Sequence, residues 1–269
     1  MDKATVAGIA LSFGGITAGL LLEGGKLSQI LQPTAALIVA GGTIGAVLLQ
    51  FPLSTVCNAA RHLRIVFFEP RSCASDEISR LTKLAQMARR NGIISLDTEL
   101  PRIDDPFLRR ALTLAVDGTE SSELRAIMQL ELDASAEAED ELPRVYEAAG
   151  GFAPTIGIIG AVLGLIQVMQ HLDKIDEVGR GIAVAFVATI YGVGFANLGA
   201  LPMAGKLRHR LRFRQILREL TLEGVVSILE GINPRMLEAK LNGFLQQASD
   251  IRDSIPEAEA PQKQRAKTV

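Results

Sequence analysis

The side chains able to do chemistry are sparse in this 269-residue chain, and their arrangement fits no covalent mechanism. His62, His171 and His209 are scattered, and no nucleophile–base pair, metal-ligand cluster or phosphate motif accompanies them. Cys57 and Cys73 lack metal or redox spacing and read as reduced, structurally minor thiols. The string GGTIG (residues 41–45) has the glycines of a phosphate cradle, but it lies inside an apolar run with no lysine beside it. What remains is a small set of polar residues embedded in uncharged sequence: Thr155, Thr189, Tyr191 and Asn197. Thr189, Val193 and Asn197 fall on one helical face. Such residues either satisfy themselves, Thr on its own i−4 carbonyl and Asn197 by tying two helices, or they line a path for an ion. A path through a membrane is normally marked by an ionisable residue. None is present here, so either no ion moves or another chain supplies the charge.

The elements that hold these residues are apolar spans. GGFAPTIGIIGAVLGLIQVMQ (150–170) contains nothing that ionises. Residues 4–22, 33–51, 152–170 and 181–205 form four such runs. Each is about 20 residues, enough to cross a hydrocarbon core of about 30 Å as a helix. The composition, 48% hydrophobic and 22% charged with mean hydropathy +0.25, would suit a soluble chain; the clumping of the apolar residues excludes that. With no Trp and two Tyr, the chain lacks an aromatic belt. A net charge of −2 gives no basic field for nucleic acid. The first run lacks a small-x-small cleavage site and is expected to be retained.

Orientation follows from Lys and Arg near the span ends. Arg61, Arg64 and Arg71 follow the second span, and Lys206, Arg208, Arg210, Arg212 and Arg214 the fourth. The two other loops carry few basic residues, diluted by acids in HLDKIDEVGR. The middle segment and both termini are therefore expected in the cytoplasm. Gly157, Gly160, Ala161 and Gly164 make small-xxx-small pairs on span three; Gly14, Gly15 and Gly19 do so on span one, and Gly41, Gly42 and Gly45 on span two. Small residues let backbones approach in lipid, so close helix packing is expected.

The cytoplasmic part reads as helical. DEISRLTKLAQMARRNG places Ile78, Leu81, Leu84, Ala85 and Ala88 at helical spacing, with Gly92 as the stop. DPFLRRALTLAVDG is a second amphipathic helix, ended by Gly118. A third starts at Ser121 or Ser122 and runs toward span three, with a break expected near Pro143. Residues 206–229 form a long helix, and GINPRMLEAKLNGFLQQ one more. The division is 1–52 (spans one and two), 53–150 (cytoplasmic segment), 151–205 (spans three and four), 206–250 (C-terminal helices) and 251–269, a polar tail expected to be disordered.

GGFAPTIGIIGAVLGLIQVM, GIAVAFVATIYGVGFANLGALPMAGKL and PTAALIVAGGTIGAVLLQFP resemble the MotA/PomA family of flagellar motor stator subunits, nearest its PomA-like and MotC-like branch. The resemblance runs to about residue 245. It implies an all-α membrane protein: four transmembrane helices with a helical cytoplasmic domain, forming a homopentameric ring in the bacterial inner membrane. It implies a B-type, MotB-like partner that supplies the membrane Asp, and torque on the rotor C-ring protein FliG. Partners would then be that B-type subunit, FliG, further copies of the chain and membrane lipid, with no nucleic acid. It implies no cofactor and no metal, only a translocated ion.

The resemblance also assigns residues. The proline that opens the family's third span matches Pro154, and the one near the cytoplasmic end of the fourth matches Pro202; both couple conformation to ion flow in the family. As a plain sequence feature Pro154 is a helix-start proline, whereas Pro202 frees a carbonyl inside a span. Thr155 and Thr189 fall along the ion path, Thr189 near the partner's Asp. Sodium-type members carry Thr where this chain has Ala161, and a methyl coordinates no Na⁺, so the implied ion is the proton. An Arg and an acid eight residues on, which act on rotor charges in the family, match Arg89 and Asp97, with Arg90 and Glu99 as neighbours sharing that role. Gly157, Gly160 and Gly164 are the helix-packing set. The competing reading is an ExbB/TolQ-like scaffold that energises envelope proteins with the proton motive force; that class has three spans, and the even count here argues against it. A membrane enzyme is excluded by the lack of any catalytic constellation.

Overall fold

The computed structural model describes residues 3–67, 74–173 and 175–254, and all regular structure among them is helical. In order these are α1 (Lys3–Leu22), α2 (Pro33–Gln50), α3 (Leu53–Phe67), α4 (Ala74–Asn91), a 3₁₀ segment (Ile93–Arg102), α5 (Pro106–Val116), α6 (Ser121–Gln170), α7 (Ile175–Phe195), a π turn (Ala196–Ala200), α8 (Leu201–Leu229) and α9 (Pro234–Ser254). Four helical runs are long and apolar enough to cross a membrane: α1, α2, α6 and the stretch from α7 into α8. Arg71, Cys73 and Lys174, and the expected tail beyond residue 254, lie outside the described residues. Residues 251–254, placed in that tail by the sequence, end α9 instead.

The break expected at Pro143 does not occur. α6 is a single helix of 50 residues through both Pro143 and Pro154. An internal proline costs one backbone hydrogen bond and crowds the carbonyl four residues back, about 3 kcal/mol. Strong helix formers surround Pro143 in LELDASAEAEDEL, and Leu142 and Val145 beside it are buried among neighbouring helices. Tertiary burial on both sides outweighs the local penalty. Pro154 is accordingly an interior proline, not a helix start.

The chain divides into two compact units. The first comprises residues 1–71 and 135–213, so it holds α3 together with the apolar spans. Along α2 the buried positions Ala35, Val39, Thr43 and Val47 recur every four residues, one helical face. Ala35 and Val39 pack against Val187 and Ala188 of α7. α3 is amphipathic and buries Ala59 and Val66 among Leu142 and Val145 of α6 and Leu207 and Leu211 of α8. α1 is different: no residue of its apolar window is buried, and Leu11 and Leu22 are 77% and 88% exposed. Its glycines Gly14, Gly15 and Gly19 meet nothing within 4 Å, so the close approach expected of them is not made within one chain.

The second unit comprises residues 72–134 and 214–269 and has its own apolar core. α4 contributes Ile78, Leu81, Leu84 and Ala85, four of the five periodic positions of the sequence pattern, and the fifth, Ala88, is partly buried against the same core. α5 begins at a full N-cap: the Asp105 carboxylate accepts from the Phe107 N–H at 2.9 Å and Pro106 fills the first helical position. Leu220 and Val225 of α8 and Leu237 and Leu241 of α9 close the core. Gly92, with φ +84°, turns the chain out of α4, a backbone region that L side chains rarely adopt.

Candidate functional site

The third and fourth spans meet along a seam of small residues, much of it backbone against backbone. A Cβ on Gly157 would stand 2.8 Å from the carbonyl oxygen of Ala188 and 3.3 Å from the Cα of Gly192. One on Gly164 would stand 2.9 Å from the Gly181 oxygen and 3.0 Å from the Ala185 nitrogen. One on Gly160 would meet the Ala188 Cβ at 2.8 Å, and one on Gly192 would overlap the Ala153 carbonyl. At Gly157, Gly164 and Gly192 glycine is needed because the two backbones touch, and at Gly160 because a methyl side chain fills the space; the gain is dispersion over a long contact. On α2 only Gly42 is close to anything, the Ile156 side chain; Gly41 and Gly45 face open space.

The predicted ion-path residues sit around this seam without bonding one another. The Thr189 Cα lies 3.4 Å from where a Gly157 Cβ would be. Its Oγ1 donates to the Ala185 carbonyl at 3.3 Å, the self-satisfied arrangement. Thr155 is exposed and donates to the Phe152 carbonyl at 2.7 Å. Ala161 and Pro154 are half-buried. Asn197 does not tie two helices: its Nδ2 donates to Val193 O of its own helix at 2.9 Å. An exposed stripe runs down α7 through Ile182, Phe186, Ile190 and Val193 to Asn197. Lipid accepts the first four; an exposed Asn at membrane depth demands a polar neighbour.

Pro202 follows directly on the π turn, where the Leu201 N–H reaches back to the Ala196 carbonyl, five residues instead of four. A proline ring collides with the carbonyl four residues before it, here Leu198. Inserting one wide turn moves that carbonyl out of the way without ending the helix, so the span runs on into α8. The sequence gives the proline; nothing in the composition of ANLGA announces the π turn.

Two further ties were not visible in the sequence. The Tyr191 hydroxyl donates to Ile30 O at 2.6 Å and accepts from the Gln32 N–H at 3.2 Å, fastening the α1–α2 connection to α7. The Tyr146 hydroxyl donates to Ala59 O at 3.0 Å, fastening α3 to α6. The chain has only these two tyrosines and each bonds the backbone of a distant element. A lone hydroxyl in an apolar run is the one signal that could have pointed to Tyr191.

In the second unit, Arg89 and Arg90 stand exposed in the last turn of α4, where positive charge suits the helix C-terminus. Asp97 is exposed on the 3₁₀ segment, anchored by the fully buried Leu96. These three charges form no ion pair among the described residues. Glu99 differs: its carboxylate is half-buried and held by Arg102 at 2.9 Å. A buried-edge network joins the helices behind them. Glu223 of α8 pairs with Arg125 at 2.8 Å and with Lys240, which also donates to Ser227 at 3.1 Å. Burial pushes the Glu223 carboxyl up, but hydrogen bonds from Lys240 and Arg125 outweigh it and hold its pKa below the ordinary value. Glu77, half-buried at the start of α4, goes the other way. Burial, aided by the Asp105 charge, raises it against the opposing pull of Arg80 and the Thr221 hydroxyl.

Among the described residues no three His, Cys, Asp or Glu side chains gather in a way that could hold a metal ion. The spans themselves carry no carboxylate.

Comparison with known proteins covers nearly the whole chain. Residues 99–219 match the MotA/TolQ/ExbB proton channel family, and residues 6–92 match Motility protein A N-terminal. The chain is 37% identical over 246 residues to Motility protein A of Bacillus subtilis strain 168, covering 91% of each. It superposes on the flagellar MotAB stator complex from Bacillus subtilis with a TM-score of 0.83 at 35% identity, covering 94% of this chain and 100% of that one. For C. jejuni MotAB the TM-score is 0.85 at 30% identity, with 91% and 96% covered.

Proposed function

The chain belongs to the Motility protein A family of the MotA/TolQ/ExbB proton channels, and we propose that it is the A-type stator subunit of a bacterial flagellar motor. One observation carries the reading: the similarity at 35% identity to a MotAB stator runs through 94% of the chain, so it includes the first two spans and the second unit as well as the channel helices. An ExbB/TolQ-like scaffold does not account for the match of residues 6–92 to a motility-specific segment.

The proposed mechanism needs a B-type partner, because spans three and four have no ionisable group of their own. The partner's membrane carboxylate would face the α7 stripe beside Thr189, with Thr155 and Ala161 on the neighbouring helix. Ala161 offers no oxygen to a sodium ion, which favours protons. Each elementary charge crossing 100 mV releases about 2.3 kcal/mol. Protonation removes the partner's charge and lets a ring of chains slip past it. Within the spans, Pro154 and the π turn before Pro202 interrupt the regular backbone bonding, as Pro143 does earlier in α6, and bending costs less there. Arg89, Arg90 and Asp97 supply the charges offered to the rotor protein FliG, with Glu99 the weaker contributor because Arg102 already holds it. A homopentamer in the inner membrane, with both termini cytoplasmic and residues 53–150 and 206–250 on that side, completes the proposal. No covalent chemistry is involved.

The test is motility in a strain lacking its own A-type gene, supplied with this chain and its cognate B-type partner. Swimming is expected, to be abolished by Arg89→Glu or Pro202→Leu, and to persist when external Na⁺ is replaced by K⁺. An inserted complex that gives no swimming would favour the envelope scaffold; loss of swimming in K⁺ would overturn the proton assignment.

A further inference from the structure

We propose that α3 is a seat for anionic phospholipid headgroups, gripped by Arg61 and Arg64. The inference rests on the membrane reading above and not on torque. α3 starts three residues after α2 ends, with only Phe51 and Pro52 between them, so it begins where a membrane span stops. One face is taken up: Ala59 and Val66 are buried against α6 and α8. The opposite face carries Leu53, Cys57, Arg61 and Arg64, spaced four, four and three residues apart, and all four are exposed. Leu53 is 67% exposed and continues the bare end of α2, where Leu49 is 92% exposed.

An apolar start followed by basic residues on the free face is the pattern of a helix lying in the membrane–water interface. Among the described residues these charges are unmatched. α3 has no acidic residue, and neither Arg61 nor Arg64 forms an ion pair among the described residues. Elsewhere in the same unit Arg144 and Arg208 are paired, with Asp140 and Glu147 at 2.6 Å each. Two free guanidinium forks one helical turn apart suit phosphodiester oxygens, which they can engage two at a time. A lipid surface fits better than an acidic protein because the site is continuous with the apolar end of α2.

The seat reaches the ion-path helices mechanically. The Tyr146 hydroxyl donates to Ala59 O, and Val66 shares an apolar cluster with Val145, so a headgroup restraining α3 also restrains α6 eight residues before Pro154.

The experiment is native mass spectrometry of the purified full-length chain in detergent, supplied with phosphatidylglycerol or phosphatidylcholine of the same acyl chains. Each arginine near an anionic surface contributes roughly fivefold in binding, about thirtyfold for the pair. Wild type is expected to retain phosphatidylglycerol preferentially. Arg61→Gln/Arg64→Gln should lose that preference at an unchanged oligomer mass, and Arg61→Lys/Arg64→Lys should keep most of it. Three results would overturn the proposal: equal retention of both lipids by wild type, as expected if a second copy covers this face; undiminished preference in the Gln variant; or displacement of the lipid by millimolar inorganic phosphate, which would make this a soluble-phosphate site. None of these readouts involves motility, so a failed stator reading and a failed lipid seat give different patterns.

Discussion

Gly192→Ala tests whether the backbone seam between the third and fourth spans is as tight as its geometry implies. The added methyl would overlap the Ala153 carbonyl oxygen and stand 3.1 Å from the Ala153 carbonyl carbon and 3.2 Å from the Gly157 Cα. All three are backbone atoms or a glycine Cα, so no rotamer change relieves them. Ordinary carbon contacts lie near 3.5–4.0 Å, and α6 and α7 must therefore move apart by about half to one ångström. Such a gap forfeits about a quarter to a half of the dispersion well along the contact, and overpacking of this kind costs about 1–3 kcal/mol. The helix-propensity gain of Ala over Gly returns about 1 kcal/mol. The net is a loss of up to about 2 kcal/mol, or a drop of up to about 8 °C in the thermal midpoint for a chain of this size, against a gain of about 1 kcal/mol where the added methyl meets nothing.

Gly194→Ala is the internal control. It lies one half-turn away on the same helix and meets nothing within 4 Å, so it receives the propensity gain without the clash. The assay is far-ultraviolet circular dichroism melting of the purified chain in detergent, wild type against both variants. The expected order is Gly194→Ala at or above wild type, with Gly192→Ala clearly below. Equal midpoints for the two variants would refute the seam, because propensity alone treats them alike. Gly157→Ala, with its closest contact at 2.8 Å, should fall between them.

Three other outcomes follow from the same structure. Tyr191→Phe removes the donor to Ile30 O and the acceptor of the Gln32 N–H, a loss of about 1–2 kcal/mol of local stability; limited proteolysis should cut residues 23–32 faster in the variant, and unchanged cutting would mean the hydroxyl does not fasten that connection. Glu77→Gln should stabilise the chain at neutral pH, because a carboxyl whose pKa is raised in the folded state pays for its charge only above that pKa; the advantage should shrink as pH falls toward the ordinary carboxylate range, and a variant that is less stable at neutral pH would contradict it. In the motility assay Asp97→Asn should impair swimming more than Glu99→Gln, since Asp97 is unpaired and Glu99 is engaged by Arg102; adding Arg102→Ala to a chain bearing Asp97→Asn should recover part of the loss by releasing Glu99.

Much of this protein is legible in the sequence because lipid imposes a simple rule. A span with no water around it must be a helix of about 20 apolar residues, and runs of that length are plain in residues 4–22, 33–51, 152–170 and 181–205. The helices of the second unit are legible too. Their one buried face sets the spacing of Ile78, Leu81, Leu84 and Ala85, and Gly92 and Asp105 mark ends through local backbone chemistry. The resemblance also proposes particular residues for the family's functional positions, since the matching motifs are long.

What the sequence left open depends on partners distant along the chain. Pro143 reads as a break from local cost alone; only the burial of Leu142 and Val145 decides that α6 continues. The π turn before Pro202 is a compromise between a proline ring and the continuity of a packed span, and neither side of it is written in ANLGA. Every glycine pattern looks alike as a string, yet Gly157, Gly164 and Gly192 touch another backbone while Gly14, Gly15 and Gly19 touch nothing in the chain. Glu99 and Asp97 are equivalent carboxylates in sequence and unequal in space, because Arg102 lies against one of them. The sequence by itself determined most of the helices, though not α3 or the 3₁₀ segment, and which of them can enter a membrane, because solvent and backbone hydrogen bonding act residue by residue. The tertiary structure decided which faces meet, which charges stay free and where the helices give, because those depend on contacts that no local pattern encodes.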